Sequence, residues 1–271
     1  MTVRVLAYEA RRLSGLRSTW IVLVTVLLCD AAVAALLARQ VPSGPLTVAA
    51  AVRSVTAAVP LLPLPIAAIG AGVLGALSYG HEVRHPGLAA SQVGYLRRVR
   101  LLFGKVVVVG ALSAVLAAVT VLADAVVTRL ALGPAVDASQ VFARGALTGG
   151  GRLPVALVVF AGLVVAAGGA GVLTASLTRS ASAGILLLCA LPVLLEAGLA
   201  LFLRQTGTAR ADAADEVLPL QYGFDWVRAG SGPAVGGPLD LADPALLAVL
   251  ASPAVLLVLV CLVAQLRRRA L

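Results

Sequence analysis

Apolar residues fill six long runs along this chain, at 19–37, 55–79, 106–130, 154–177, 181–203 and 245–266, and charged residues gather between the runs. Even the shortest run has 19 residues. At about 1.5 Å of rise per residue, each is long enough as a helix to cross a hydrocarbon layer roughly 30 Å thick. The runs are apolar on nearly all sides, and a helix is the element that satisfies its own backbone hydrogen bonds in lipid. Residues 1–18 carry a different pattern. Val3, Leu6, Ala7, Ala10 and Leu13 recur at helical spacing, with Arg4, Tyr8, Arg11, Arg12 and Gly15 opposite them. This stretch is predicted to lie flat in the headgroup layer as an amphipathic helix, before Trp20 turns the chain into the membrane. The expected fold is therefore all-α: a polytopic membrane protein with six transmembrane helices over 19–271 and an N-terminal interfacial helix over 1–18.

Composition agrees and closes off other classes. Of 271 residues, 61% are apolar and 12% charged, which rules out a water-soluble globular domain. The net charge of +9 comes from 20 Arg and the single Lys105. These flank the apolar runs, so they speak for membrane topology and against nucleic acid as a partner. Six spans put both termini on one side, and that side carries 13 basic residues against 8 on the other, with net charges of about +11 and +1. The side richer in Arg is the cytoplasmic one, which places the chain in the plasma (inner) membrane as a multi-pass protein with both termini inside. The preference for Arg over Lys and Ala over Ile matches a GC-rich coding sequence. Ala32-Val33-Ala34 resembles a signal cleavage site, but the long leader and long apolar run argue for a retained first span. Cys29, Cys189 and Cys261 all lie inside apolar runs with no Cys-x-x-Cys spacing and read as small core hydrophobes.

Punctuation inside the runs predicts local structure. Pro60, Pro63 and Pro65 must break or kink the outer half of the second run. Gly70-Ala71-Gly72 with Gly75, and Gly168-Gly169-Ala170-Gly171, are small-residue stretches that allow close helix approach. No glycine stretch has the Lys-Ser or Lys-Thr of a phosphate-binding loop, so ATP chemistry would have to come from another polypeptide.

Two sets of residues carry candidate chemistry. His81-Glu82-Val83-Arg84-His85 is a His-Glu-x-x-His string, which on a helix sets two imidazoles on one face to hold zinc while Glu82 polarises a water. Pro86 disfavours helical geometry at His85, and no third ligand lies nearby in sequence, so a membrane zinc peptidase is the alternative and not the leading reading. Asp30, Asp124 and Glu196 fall inside spans, about 16, 27 and 22 Å up from the cytoplasmic end. Acids there are expensive and must face protein, a partner or a water-filled path. Each is followed by an outer Arg (Arg39, Arg129, Arg204), so structural ion pairing and a cationic substrate path are both open.

The segment from Gly75 to Lys105 resembles the permease subunits of the ABC type-2 exporter family. In that family the second span ends in a Glu-x-Arg-x-Gly-Thr-like turn, followed by a short cytoplasmic helix, a Pro-x-x-Arg-like stretch and a Lys that opens the third span. Here Glu82, Arg84, Gly87 and Leu88 stand at the turn, Leu96, Arg97, Arg98 and Arg100 at the basic stretch, and Lys105 at re-entry. Pro86 is inserted before the Gly, Leu88 replaces Thr, and Gly94-Tyr95-Leu96 stands where Pro is common. The resemblance implies that the loop 80–105 couples to a separate nucleotide-binding ATPase subunit, which would carry the ATP and Mg. It also implies a dimer with a second permease chain, no catalytic residue or metal in this chain, and outward transport of a hydrophobic or amphipathic compound. Independently of the family, Leu88, Val93, Leu96, Val99 and Leu102 give a helix candidate over 88–102 an apolar surface that needs a partner. The outer loop 204–243 carries Tyr222, Phe224 and Trp226, residues that favour the headgroup level and would cap the outer end of the bundle. A secondary transporter or a membrane scaffold is a further class that the sequence leaves open.

Overall fold

The computed structural model describes residues 3–59, 64–84, 95–134, 136–137 and 152–190. The sixth run, most of the fifth, the loop 204–243 and Glu196 lie outside the described residues. In chain order the helices are α1 (Val3–Gly15), α2 (Arg17–Arg39), α3 (Val48–Val55), α4 (Ile66–Arg84), α5 (Tyr95–Ala131), α6 (Arg152–Thr178) and α7 (Ala181–Ala190). Two-residue strands β1 (Gly44–Pro45) and β2 (Val136–Asp137) pair in parallel.

Three segments are long and apolar enough to cross a membrane: Arg17–Arg39, Leu102–Ala131 and Ala156–Thr178. Their packing is inverted relative to a water-soluble bundle. Ile21, Val24, Leu28 and Leu36 of α2 face outward, as do Val107, Val115, Val119, Leu122, Val126 and Leu130 of α5. Buried instead are Asp30 on α2 and Ser113, Thr120, Asp124 and Thr128 on α5. Rows of large exposed aliphatics at helical spacing, over a core that takes in these polar groups, need lipid as their solvent.

At one end of the bundle the chain turns a corner between α1 and α2. Leu16 is extended, and the Trp20 indole N–H donates to the Ser14 carbonyl across the corner at 2.8 Å. Against the protein α1 sets Glu9 and Leu13, which are buried, while Ala7 and Ala10 of its apolar stripe are exposed.

The second run opens on a break. α3 ends at Val55, where the run begins, Ala57 takes a left-handed conformation (φ +46°), and α4 starts at Ile66, directly after Pro65, while Pro60 and Pro63 lie outside the described residues. α3 precedes the run as a short separate helix capped by Thr47, whose hydroxyl accepts from the Ala50 N–H at 3.2 Å. The third run also differs, since α5 is continuous for 37 residues from Tyr95. Residues 95–102 are therefore the start of the membrane-crossing helix and not part of a separate loop helix.

α4 and α6 pack most closely. A Cβ on Gly75 would strike the Gly168 carbonyl, and one on Gly171 would strike the Gly72 carbonyl, so only glycine allows this crossing. The small-residue stretches read from sequence are the packing devices expected of them. The core between α2, α4, α5 and α6 is filled by Val26, Leu64, Leu74, Leu116, Phe160 and Val164 among small alanines.

Candidate functional site

Polar groups are brought together at two levels of the bundle. The first is at the α1 end. Lys105, near the start of the crossing part of α5, is buried, and its Nζ donates to both carboxylate oxygens of Glu9 at 3.2 Å. Arg12 approaches the same carboxylate at 3.9 Å from the next turn of α1. Beside this pair, Leu13 packs with Val109, Val172 and Leu102. Lys105 is thus engaged by the chain's own leader helix, and Leu102, read as surface awaiting a partner, packs against Leu13. Glu9 was invisible as a site residue because, 96 positions away in sequence, only the packing of α1 on α5 brings it to Lys105.

The neighbouring turn is described in part. His81, Glu82 and Arg84 lie on the last turns of α4, while His85, Gly87 and Leu88 lie outside the described residues. Leu96, Arg97 and Arg98 fall on the first turn of α5, with only their backbone described. Among the described residues no three His, Cys, Asp or Glu side chains converge as a metal site would require.

The second level lies toward the opposite end. α2 buries one stripe of side chains, Thr19, Val26, Asp30, Ala34 and Ala38, and α5 buries another, Lys105, Val109, Ser113, Leu116, Thr120, Asp124 and Thr128. The two helices pack on each other and run in the same direction. Their far ends are tied by β1 and β2, where Gly44, five residues past Arg39, pairs with Val136, five past Ala131. Counted from helix ends held in this register, Asp30 lies nine residues in and Asp124 seven, a difference in depth of about 3 Å. The separation of about 11 Å expected from sequence disappears because α5 starts well below α2.

Neither Arg39 nor Arg129 supplies the neutralising partner expected of it. Both are exposed, whereas Asp30 and Asp124 are each 1% exposed and none of their four carboxylate oxygens has a hydrogen-bond partner among the described residues. An arginine one or two turns further out extends toward the membrane surface, where its charge is hydrated, and cannot also fold back into the bundle. Thr128, one turn beyond Asp124, is fully buried and its hydroxyl is likewise unpartnered.

No protein-family profile, curated protein or solved structure matches this chain. The class these observations define is a helical membrane protein with at least three helices able to span the bilayer.

Proposed function

We propose that this chain is the membrane-spanning permease subunit of an ATP-driven exporter of the ABC type-2 kind, with six spans and both termini in the cytoplasm of the plasma membrane. It works as a dimer with itself or a paralogue, and separate ATPase subunits, which bind the ATP and Mg, drive outward movement of a hydrophobic or amphipathic compound. The observation that supports this most is the construction of the α1 end. α5 runs without a break from Tyr95, inside the proposed coupling segment 80–105, into the membrane-crossing segment, and α1 grips its base through Glu9 and Lys105. A motor seated on that coupling segment would push on a helix continuous with the bundle, so a movement there becomes a tilt of the helix that carries Asp124.

The reading is tested by purifying the tagged chain in mild detergent from membranes of its source cells. A vanadate-sensitive ATP hydrolysis that co-purifies in proportion to the chain is expected, residing in a second polypeptide. A chain that purifies as an oligomer of itself alone, with no ATP hydrolysis, refutes the proposal.

A further inference from the structure

We infer that Asp30 and Asp124, together with the hydroxyl of Thr128, form a binding site for a small monovalent cation inside the helix bundle. This goes beyond the export reading and does not depend on it.

The carboxylates come from two helices and reach one depth because those helices run parallel and are tied in register at their far ends. Both are 1% exposed, and all four oxygens are without a donor among the described residues. Two acids so placed repel each other in a medium that does not solvate them, and the repulsion is relieved by protonation of one carboxyl or by a cation held between them. The described side chains do not provide that cation. On the helices packed against the pair, Arg39, Arg53 and Arg129 are exposed, Cys29 beside Asp30 is exposed, and Glu9 and Lys105 bind each other at the opposite end with Arg12.

Thr128 is the independent sign of a ligand. Most other buried hydroxyls among the described residues bond back to a carbonyl three or four residues earlier, as Thr56 does to Val52, Ser78 to Gly75, Thr120 to Leu116, Thr174 to Gly171 and Ser176 to Leu173. Thr128 lies four residues beyond Asp124 on the same buried face and makes no such bond. Ser113 also lacks one, but it sits three turns below Asp124, against Gly168 of α6, and belongs to a different contact. Two carboxylates and a hydroxyl offer oxygen donors only, the set that suits a hard cation and not a soft metal. With one of the two carboxyls protonated, a single negative charge remains, which fits a monovalent ion such as sodium or a second proton.

Infrared difference spectra of the full chain in phospholipid vesicles test this, recorded against pH and against sodium chloride with choline chloride as control. Bands that vanish in Asp30→Asn or Asp124→Asn variants report these two groups. A carboxyl band that responds to sodium supports the site with sodium as occupant, and one that responds to pH but not to sodium supports it with a proton as occupant. In either case Thr128→Val should move the midpoint at least threefold. Carboxyl bands indifferent to both, or a midpoint that ignores Thr128→Val, would overturn the site as drawn.

Discussion

Replacing Lys105 by Met leaves Glu9 buried beneath α1 with only Arg12, at 3.9 Å, to face it. Two hydrogen bonds of 3.2 Å to a charged group are lost. Breaking a buried pair by removing one partner costs about 3–5 kcal/mol where the remaining charge is fully stranded. Hydrogen bonds to charged groups contribute about 1.5–3 kcal/mol where it is not. Arg12 remains within reach, and α1 lies at the edge of the bundle, so a loss of about 2 kcal/mol is expected. Glu9→Gln removes the carboxylate that faces the ammonium of Lys105 and should cost about as much. With both changes made together neither charge of the buried pair remains, and the double variant should lose about 1–2 kcal/mol less than the sum of the single ones. The measurement is reversible unfolding of the four proteins in mixed micelles. Arg12→Ala, which removes a longer and partly exposed contact, should cost under about 1 kcal/mol. Additivity of the Glu9 and Lys105 changes to within about 0.5 kcal/mol would show that the pair does not hold α1 to α5.

Further outcomes follow from the same packing. Gly75→Ala and Gly171→Ala set a methyl against backbone of the facing helix and should each destabilise by about 1–3 kcal/mol in the same assay, whereas Gly162→Ala, with open space around it, should be neutral or slightly stabilising. Destabilisation by all three alike would contradict the close α4–α6 crossing. A reporter active only in the cytoplasm should work when fused after Gly94 or Leu271 and fail after Gly230, as the 13 to 8 distribution of basic residues requires. Equal activity at all three sites would overturn the six-span topology. Purified protein should hold no stoichiometric zinc, and a His81→Ala, His85→Ala double variant should keep its function. One zinc per chain, lost in that variant, would move the peptidase reading to the front.

The membrane-crossing character of the chain was legible because it rests on run length and composition, which need no partner. Close helix approach at Gly72, Gly75, Gly168 and Gly171 was legible for the same kind of reason: small residues at helical spacing have few other uses in lipid. The prolines announced a break, yet not that α3 would become a separate helix, since that depends on Thr47 supplying a cap. What sequence could not supply was pairing across distance. Nothing in the sequence marks Glu9, and its position on the inward face of α1 depends on Lys105 being packed opposite. Asp30 and Asp124 were visible as costly acids, but their depth was misjudged because α2 and α5 begin at different levels, and the nearby arginines suggested partners that the geometry does not deliver. Thr128 could have been found: Thr120, Asp124 and Thr128 repeat every fourth residue, a polar stripe down one face of an otherwise apolar helix.

The claim at the centre of the account is that the segment 80–105, which includes the first turns of α5, is where an ATPase takes hold. Leu88 and Leu96 are the residues to change, since an Asp at either place would have to be desolvated against an apolar groove, at a cost of several kcal/mol by an order-of-magnitude transfer argument. The decisive measurement is ATP hydrolysis and ATPase co-purification for the Leu88→Asp, Leu96→Asp double variant beside the wild-type chain, with membrane insertion checked by the fusion reporters. The account predicts normal insertion with loss of both the bound ATPase and its activity. A variant that inserts normally, retains its ATPase and hydrolyses ATP at the wild-type rate would contradict it.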